Sequence, residues 1–180
     1  MSQDERPEDE EGQDERPEDE EGQDELYAAF EALGGQLTWD ELDRLLRSGK
    51  YRAVLMRQAT LLVGGDAVAA DEVVQASLAA LQEARSQLAS PSQARAWLYR
   101  EVVNRTRSVR RHRDAPQAAP GAQAGFRALL ALPDRQREAV VLCTYVGLSE
   151  KQAAAAMSIS TGAVRSHLAR GISSLPRPPG

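Results

Sequence analysis

The stretch from Leu132 to Leu175 constrains the fold most, because it reads as three helices separated by two short breaks. Pro133 predicts the start of the first helix, since proline suits a first helical turn, where its missing N–H would be unpaired anyway. Gly147 predicts its end. Ser149, with Gln152 three residues later, forms a capping-box pattern that predicts the start of the second helix. The break at residues 158–161 then precedes a third helix, which Pro176 ends.

The spacing of small and apolar residues predicts that the second and third helices cross at a steep angle. Ala154 is small where the helices approach, and Met157, Ile159 and Val164 lie where they must touch. This is the helix-turn-helix plan, whose second helix enters the DNA major groove with its early residues facing base edges. The candidate base-reading residues are Ser160, Thr161, Gly162, Arg165, Ser166, His167 and Arg170.

The opposite face of the third helix predicts its buried side. Val164, Leu168, Ile172 and Leu175 recur there at helical spacing. One residue departs from the common pattern, since Ser158 occupies a turn position where glycine is usual. A three-helix bundle without a ligand is the alternative interpretation of this stretch.

Composition favours an all-α protein. The chain has 180 residues, enough for one or two small domains, and is 42% hydrophobic but only 4% aromatic, with alanine and leucine dominant. Its one cysteine, Cys143, excludes an internal disulfide framework and fits a reducing cytoplasm; it lies in an apolar helix, which favours buried packing. Apolar runs are shorter than the roughly 18 residues of a membrane span, so we expect no membrane insertion.

The net charge of −5 is the sum of two opposite parts. Residues 1–25 contain 14 acids and two arginines, for a net charge of −12, in a tandem repeat of QDERPEDEEG that predicts a disordered tail. Residues 26–180 contain 13 acids and 20 basic residues, for a net charge of +7. A basic body suggests a polyanion partner. The tail is interpreted either as solubilising or as a DNA mimic that weakens non-productive DNA binding.

Residues 26–113 are predicted to form a first helical domain. Capping signals divide it into helices: Thr38 with Glu41, the break at Ser48, Asp66 after paired glycines, and Ser90 before a proline. Residues 114–125 are small and contain prolines, which predicts a linker. Residues 126–176 form the predicted second domain.

The last helix of the first domain is rich in arginine. Leu98, Val102 and Thr106 lie on one face, and six arginines against one acid, Glu101, lie between residues 95 and 111. Such a run is often only a solvated face, but arginine with an asparagine among it suits phosphate neutralisation and base-edge hydrogen bonding. The candidate DNA-binding residues on this helix are Arg100, Asn104, Arg107, Arg110 and Arg111.

This arrangement resembles the bacterial ECF (extracytoplasmic-function) sigma factors, from about residue 40 to residue 175. LPDRQREAVVL, GLSEKQAAAAMSIS and STGAVRSHLARGISSL look like sigma region 4. Gly65-Asp66, Asp71 to Gln75 and the run from Ala96 to Asn104 look like sigma region 2. The chain departs from the family in residues 76–81, which lack the usual aromatics that would stack on unpaired bases, and at Glu101 and Ser108.

The resemblance implies a subunit that binds core RNA polymerase and directs it to promoter DNA. Region 2 would dock on the β′ clamp helices and read the −10 element with its arginine-rich helix, and the loop from Arg85 to Gln93 would capture a flipped base. Region 4 would hold the β flap and read the −35 element. An anti-sigma protein is a further possible partner. The residues that match the family's clamp contacts are Asp71, Glu72 and Gln75.

Two other classes of function compete with a sigma factor. A free-standing helix-turn-helix regulator would bind operator DNA as a dimer, without polymerase. An enzyme is disfavoured, because the paired glycines lack the lysine and serine of a phosphate loop and the two histidines, His112 and His167, lie far apart in sequence. We therefore expect no catalytic residues, no cofactor and no metal site.

Overall fold

The computed structural model describes residues 37–112 and 123–176. The acidic repeat of residues 1–25 and most of the predicted linker lie outside these residues. Every regular element within the described ranges is helical, which confirms the all-α prediction. None of the helices in those ranges is long and apolar enough to cross a membrane.

The first half of the described chain consists of four α-helices and one short 3-10 turn. They are α1 (Trp39–Arg47), α2 (Gly49–Val63), α3 (Ala67–Ala84), the 3-10 turn Arg85–Gln87 and α4 (Pro91–Arg111). The predicted capping residues are confirmed. The side chain of Thr38 and that of Glu41 cap each other's backbone N–H groups, Ser48 ends α1 and caps α2, and Asp66 and Ser90 accept hydrogen bonds at the starts of α3 and α4.

The core of the first half lies where α2, α3 and α4 pack on one another. Leu55, Val74, Leu98 and Val102 are fully buried there. These residues recur at helical spacing within their own helices, so one stripe of each helix faces the others. On the opposite side of α3, Glu72 and Gln75 are exposed.

The second half contains the three predicted helices and one more helix before them. They are α5 (Ala124–Ala131), α6 (Asp134–Val140) with a π-helical turn (Val141–Tyr145), α7 (Glu150–Met157) and α8 (Thr161–Ser174). Helix α5 begins inside the segment that was predicted to be a linker. The π-helical turn was not predicted, and Gly147, with a φ of 83°, reverses the chain after it.

Helices α7 and α8 form the predicted helix-turn-helix. Ser149 and Gln152 complete the capping box of α7, and Ser160 caps α8. Ala154 and Val164 are buried at the crossing. Ser158 adopts a left-handed conformation with a φ of 55°, the conformation that makes glycine usual at this turn.

The predicted burial of Ile172 is wrong, because its side chain is 51% exposed. At this level of α8 the residue that faces the core is Gly171: a Cβ atom built on it would lie 2.6 Å from Cγ2 of Val140 and 3.2 Å from the backbone oxygen of Gln136. The backbone of α8 therefore approaches α6 directly, and the next residue along α8 turns outward.

The two halves pack against each other. Helix α4 lies against α7, and α2 contacts the π-helical turn. The tight turn after α2 also touches α5, since a Cβ atom built on Gly65 would lie 3.0 Å from the ring of Phe126. The buried residues of both halves form one hydrophobic cluster. The arginine-rich helix is therefore placed beside the helix-turn-helix.

Candidate nucleic-acid interface

Most of the predicted base-reading residues of α8 are open to solvent. Ser160, Gly162, Arg165, Ser166 and Arg170 are exposed on the first turns of α8 and the side that continues from them. Val164 lies among them in sequence but is buried on the opposite side of α8. Helix α8 packs on α7, and this packing fixes which side of α8 faces outward. The helix-turn-helix thus presents a continuous polar surface that carries positive charge.

Two of the predicted residues on α8 are less accessible. Thr161 and His167 are both half-buried. Nδ1 of His167 is buried and has no hydrogen-bond partner among the described residues. The position of His167 beside the core-facing side of α8 makes it a weaker candidate for a base contact than its neighbours.

Arg165 is held in place by an acid from α7. Its Nε and Nη2 donate to Oε2 of Glu150 at 3.1 and 2.9 Å. This hydrogen bond and the charge of the carboxylate raise the pKa of Arg165. The Arg165 side chain is nevertheless 69% exposed, so the pair is well solvated and easily exchanged for another anion. Glu150 lies 15 residues away from Arg165, and no local pattern in the sequence indicated this pair.

The predicted DNA-binding residues of α4 divide into two groups. Asn104 and Arg111 are exposed, and Arg100 is half-buried. Asn104 also orients its neighbour, because its Oδ1 accepts from Nη1 of Arg107 at 3.3 Å. The remaining two arginines do not face solvent but contact the second half of the chain.

Arg107 makes a bidentate ion pair with Glu138 of α6. Nε and Nη2 of Arg107 donate to the two carboxylate oxygens, each at 2.7 Å, and Nη2 also donates to the backbone oxygen of Met157 at 3.1 Å. The Arg107 side chain is 18% exposed and that of Glu138 only 2%. Parallel N–H···O bonds of this kind, shielded from water, are among the stronger charged contacts in proteins.

Arg110, one turn further along α4, pairs with Asp134 at the start of α6. Its side chain is 12% exposed. Two of the five residues predicted to bind DNA on α4 are therefore occupied by carboxylates from the helix-turn-helix half. Their partners lie 24 and 31 residues away in sequence, so no local pattern could have indicated these pairs.

The predicted polymerase-binding residues lie together on α3. Oδ2 of Asp71 accepts from Nε2 of Gln75 at 2.6 Å, and Oδ1 accepts from Nη2 of Arg52 on α2 at 2.6 Å. Glu72 and Gln75 are exposed. Arg52 was missed in the sequence because it comes from a different helix. The three predicted residues thus form one polar surface whose central carboxylate is fixed from both sides.

The loop that follows α3 is anchored at its start. Arg85 donates to both carboxylate oxygens of Asp43 on α1, and its guanidinium lies 4.6 Å from the centre of the Trp39 ring. The Arg85 hydrogen bond lowers the pKa of Asp43. The segment between Arg85 and Gln93 is therefore attached to α1 rather than free of the helical core.

A buried arginine supports the second half and was not recognised in the sequence. Arg137 on α6 donates to the backbone oxygens of Leu129, Leu130 and Leu132, the carbonyls at the end of α5. Burial lowers the pKa of Arg137 to about 10, which still leaves it charged at neutral pH. Arg137 therefore fastens α5 to α6.

These features define a class: a two-part helical DNA-binding protein with a helix-turn-helix in its second half. Residues 126–175 match the family described as Sigma-70, region 4. The chain is also similar to a solved structure of CnrH in complex with the cytosolic domain of CnrY, at 29% sequence identity and a TM-score of 0.61, over 85% of this chain and 94% of that one. A comparison with curated proteins finds no match.

CnrH is an ECF sigma factor, and its similarity extends over both halves of this chain, whereas the region 4 match covers the second half alone. Together these two findings support the ECF sigma factor family for this chain. This agrees with the resemblance noted in the sequence. It accounts for an arginine-rich helix and a helix-turn-helix in a single short polypeptide.

Proposed function

We propose that this sigma factor binds core RNA polymerase and directs it to promoters by reading the −10 element with α4 and the −35 element with α8. The observation that carries the proposal is the presence, on one chain, of an exposed cationic helix-turn-helix surface and a separate polar surface on α3. A free-standing regulator needs the first surface but has no use for the second.

The −35 element is assigned to α8 because its outward side carries hydrogen-bonding groups of the kind that read bases. Arg165 can donate two hydrogen bonds to guanine, and Ser166 and Arg170 extend the same side of the helix. Release of Arg165 from Glu150 involves two exposed side chains and therefore a small energetic cost.

The −10 element is assigned to α4, where Arg100, Asn104 and Arg111 can contact DNA directly. Arg107 and Arg110 join this surface once their carboxylate partners have left. Arginines position phosphates, and an asparagine among them can discriminate bases. The function in this proposal is recognition, and we assign no catalytic chemistry to the chain.

The polymerase clamp is assigned to the α3 surface of Asp71, Glu72 and Gln75. The side chains of Asp71 and Gln75 are already hydrogen-bonded to each other, so they lose little conformational freedom when a partner binds. The β flap is assigned to the second half. CnrH was solved with the cytosolic domain of CnrY, and we propose that a comparable anti-sigma domain regulates this chain.

The test is co-purification of the full chain with core RNA polymerase, followed by run-off transcription on genomic fragments. We expect a stable complex and discrete transcripts. Glu72→Ala and Gln75→Ala should each reduce polymerase binding without loss of helical content. Glu83→Ala, an exposed acid on the same helix, is the matched control. Wild-type assembly by both variants would refute the clamp assignment, and tight operator binding as a dimer without polymerase would refute the sigma assignment.

A further inference from the structure

The −10 surface is the basic side of α4 that is proposed to contact the −10 element. We propose that the helix-turn-helix half blocks part of the −10 surface through an ion-pair latch, in which Glu138 and Asp134 hold Arg107 and Arg110. The latch consists of the bidentate Arg107–Glu138 pair, with both bonds at 2.7 Å, and the Arg110–Asp134 pair. This inference rests on the proposed role of α4 in binding promoter DNA. It adds that the free protein holds two of its DNA-binding arginines in an occupied state.

The latch and DNA compete for the same donors. Arg107 uses Nε and Nη2 for the carboxylate of Glu138, and these are the atoms with which arginine grips a phosphate or a base edge. A carboxylate with both oxygens engaged is the intramolecular equivalent of a phosphate. The −10 surface therefore cannot form all its contacts with DNA until α4 separates from α6.

The surroundings of the latch favour the closed arrangement. Helix α4 packs against α7, and Gly65 of the first half receives the ring of Phe126 from the second. The side chains of Arg107 and Glu138 are only 18% and 2% exposed, so this pair is screened by salt less than an exposed pair would be. Separation of the halves breaks the apolar contacts and the ion pairs together.

The second half is built to survive release of the latch. Nη1 of Arg135 also donates to Glu138, at 3.3 Å, and to the backbone oxygen of Met157, at 3.0 Å. When Arg107 leaves, Arg135 still neutralises the carboxylate and still caps the end of α7. Without it, a buried carboxylate would lose its only cation, which is strongly destabilising. Because Arg135 donates to the same carboxylate, Arg107 can leave Glu138 without leaving it unpaired.

Chemical labelling of arginine tests the closed state directly. The full-length protein is treated with phenylglyoxal and modification is followed by mass spectrometry. In the wild type, Arg107 and Arg110 should react much more slowly than exposed Arg111 on the same helix. In an Asp134→Asn/Glu138→Gln variant all three should react at similar rates. Equal rates in the wild type would overturn the proposal.

The salt dependence of DNA binding tests the competition. The probe is a fluorescent 20-base-pair duplex of random sequence. Two freed arginines that reach phosphates should steepen the slope of log affinity against log salt by about 2 in the double variant, at ~0.9 per phosphate contact. Asp134→Asn alone should steepen it by about 1. An unchanged slope in both variants would overturn the latch.

Two controls separate the latch from its alternatives. Asp40→Asn/Glu83→Gln removes the same charge from exposed acids on α1 and α3 and should leave the slope unchanged. The Asp134→Asn/Glu138→Gln variant is called the open variant. Addition of Arg107→Gln/Arg110→Gln to the open variant should restore the wild-type slope, and persistence of the steep slope would contradict the proposal. The single Asp134→Asn variant changes an exposed residue, so it provides a result if the buried Glu138→Gln change impairs folding.

Failure of the latch and failure of the sigma assignment give different results. If labelling and salt slopes are wild-type in the open variant while the protein still assembles with polymerase, the latch is wrong and the sigma role stands. If the latch opens as expected but neither the wild type nor the Asp134→Asn/Glu138→Gln variant binds polymerase, the proposed function is wrong.

Discussion

The two helices proposed to read DNA, α4 and α8, carry similar residues but are used differently by the fold. Both are amphipathic, and both place arginines opposite an apolar stripe. On α8 the arginine nearest the turn, Arg165, is 69% exposed and its acidic partner is solvated. On α4, Arg107 and Arg110 are 18% and 12% exposed and paired with acids of the other half.

The difference shows that the role of an arginine follows from what its helix packs against. Helix α8 is the last element of the second half and has one side free. Helix α4 lies between its own domain and α7, and Arg107 and Arg110 at the end of its basic face pair with acids of α6. We infer that the proposed −35 contacts are available in the free protein, whereas the proposed −10 contacts of Arg107 and Arg110 must first be released from their acids.

The largest expected effect concerns Arg137, which extends the comparison to an arginine that is fully internal. Arg137→Ala leaves three carbonyls at the end of α5 without their charged donor, and we expect a loss of roughly 3 kcal/mol in the free energy of unfolding. Urea denaturation followed by circular dichroism measures it. Arg127→Ala, at an exposed position on α5, should change stability by less than about 0.5 kcal/mol. Equal free energies of unfolding for Arg137→Ala and the wild type would mean that Arg137 does not stabilise the fold.

The next effect tests whether the open arginine of α8 reads bases. Arg165→Ala should weaken binding of holoenzyme to its −35 element by ~1–3 kcal/mol if Arg165 makes a base contact. Fluorescence anisotropy with promoter DNA and with a scrambled −35 element measures the difference. Arg44→Ala, an exposed arginine on α1, should leave both affinities unchanged. A loss of equal size on both sequences would instead assign Arg165 to a phosphate.

The smallest effect concerns the turn that sets the angle of α8. Ser158 has a φ of 55°, a conformation that costs a residue with a Cβ atom about 1 kcal/mol relative to glycine. Ser158→Gly should therefore raise the free energy of unfolding by up to ~1 kcal/mol without altering −35 affinity. Ser173→Gly, inside α8, should lower it by ~0.5–1 kcal/mol. A destabilising Ser158→Gly change would show that the serine side chain is needed at the turn.

Much of the local structure could be predicted because its causes lie within a few residues. The caps at Thr38, Ser90 and Ser149, the break at Ser48 and the left-handed turn at Ser158 all depend on neighbours in sequence. The π-helical turn at residues 141–145, which packs against α2, was not predicted, because that contact joins residues far apart in sequence. The early start of α5 was also not predicted.

The sequence predicted which residues belong to each candidate site, but not which of them are exposed or which residues of other helices they contact. The spacing of residues along α8 indicated its polar side, but it predicted that Ile172 is buried. In the structure Gly171 approaches Val140 closely, and the neighbouring Ile172 side chain points outward. Arg52 and Glu150 were missed because each acts on a residue from another helix. An ion pair across 15 or 19 residues leaves no periodic signal.

Most of the helix boundaries, the helix-turn-helix and the identity of the basic helix followed from the amino-acid sequence alone, since helical periodicity and end-capping are short-range effects. Only the tertiary structure decided that the two halves pack together and that Glu138 and Asp134 occupy Arg107 and Arg110. The physical reason is that a charge pair forms wherever folding brings opposite charges together, and that proximity is a property of packing.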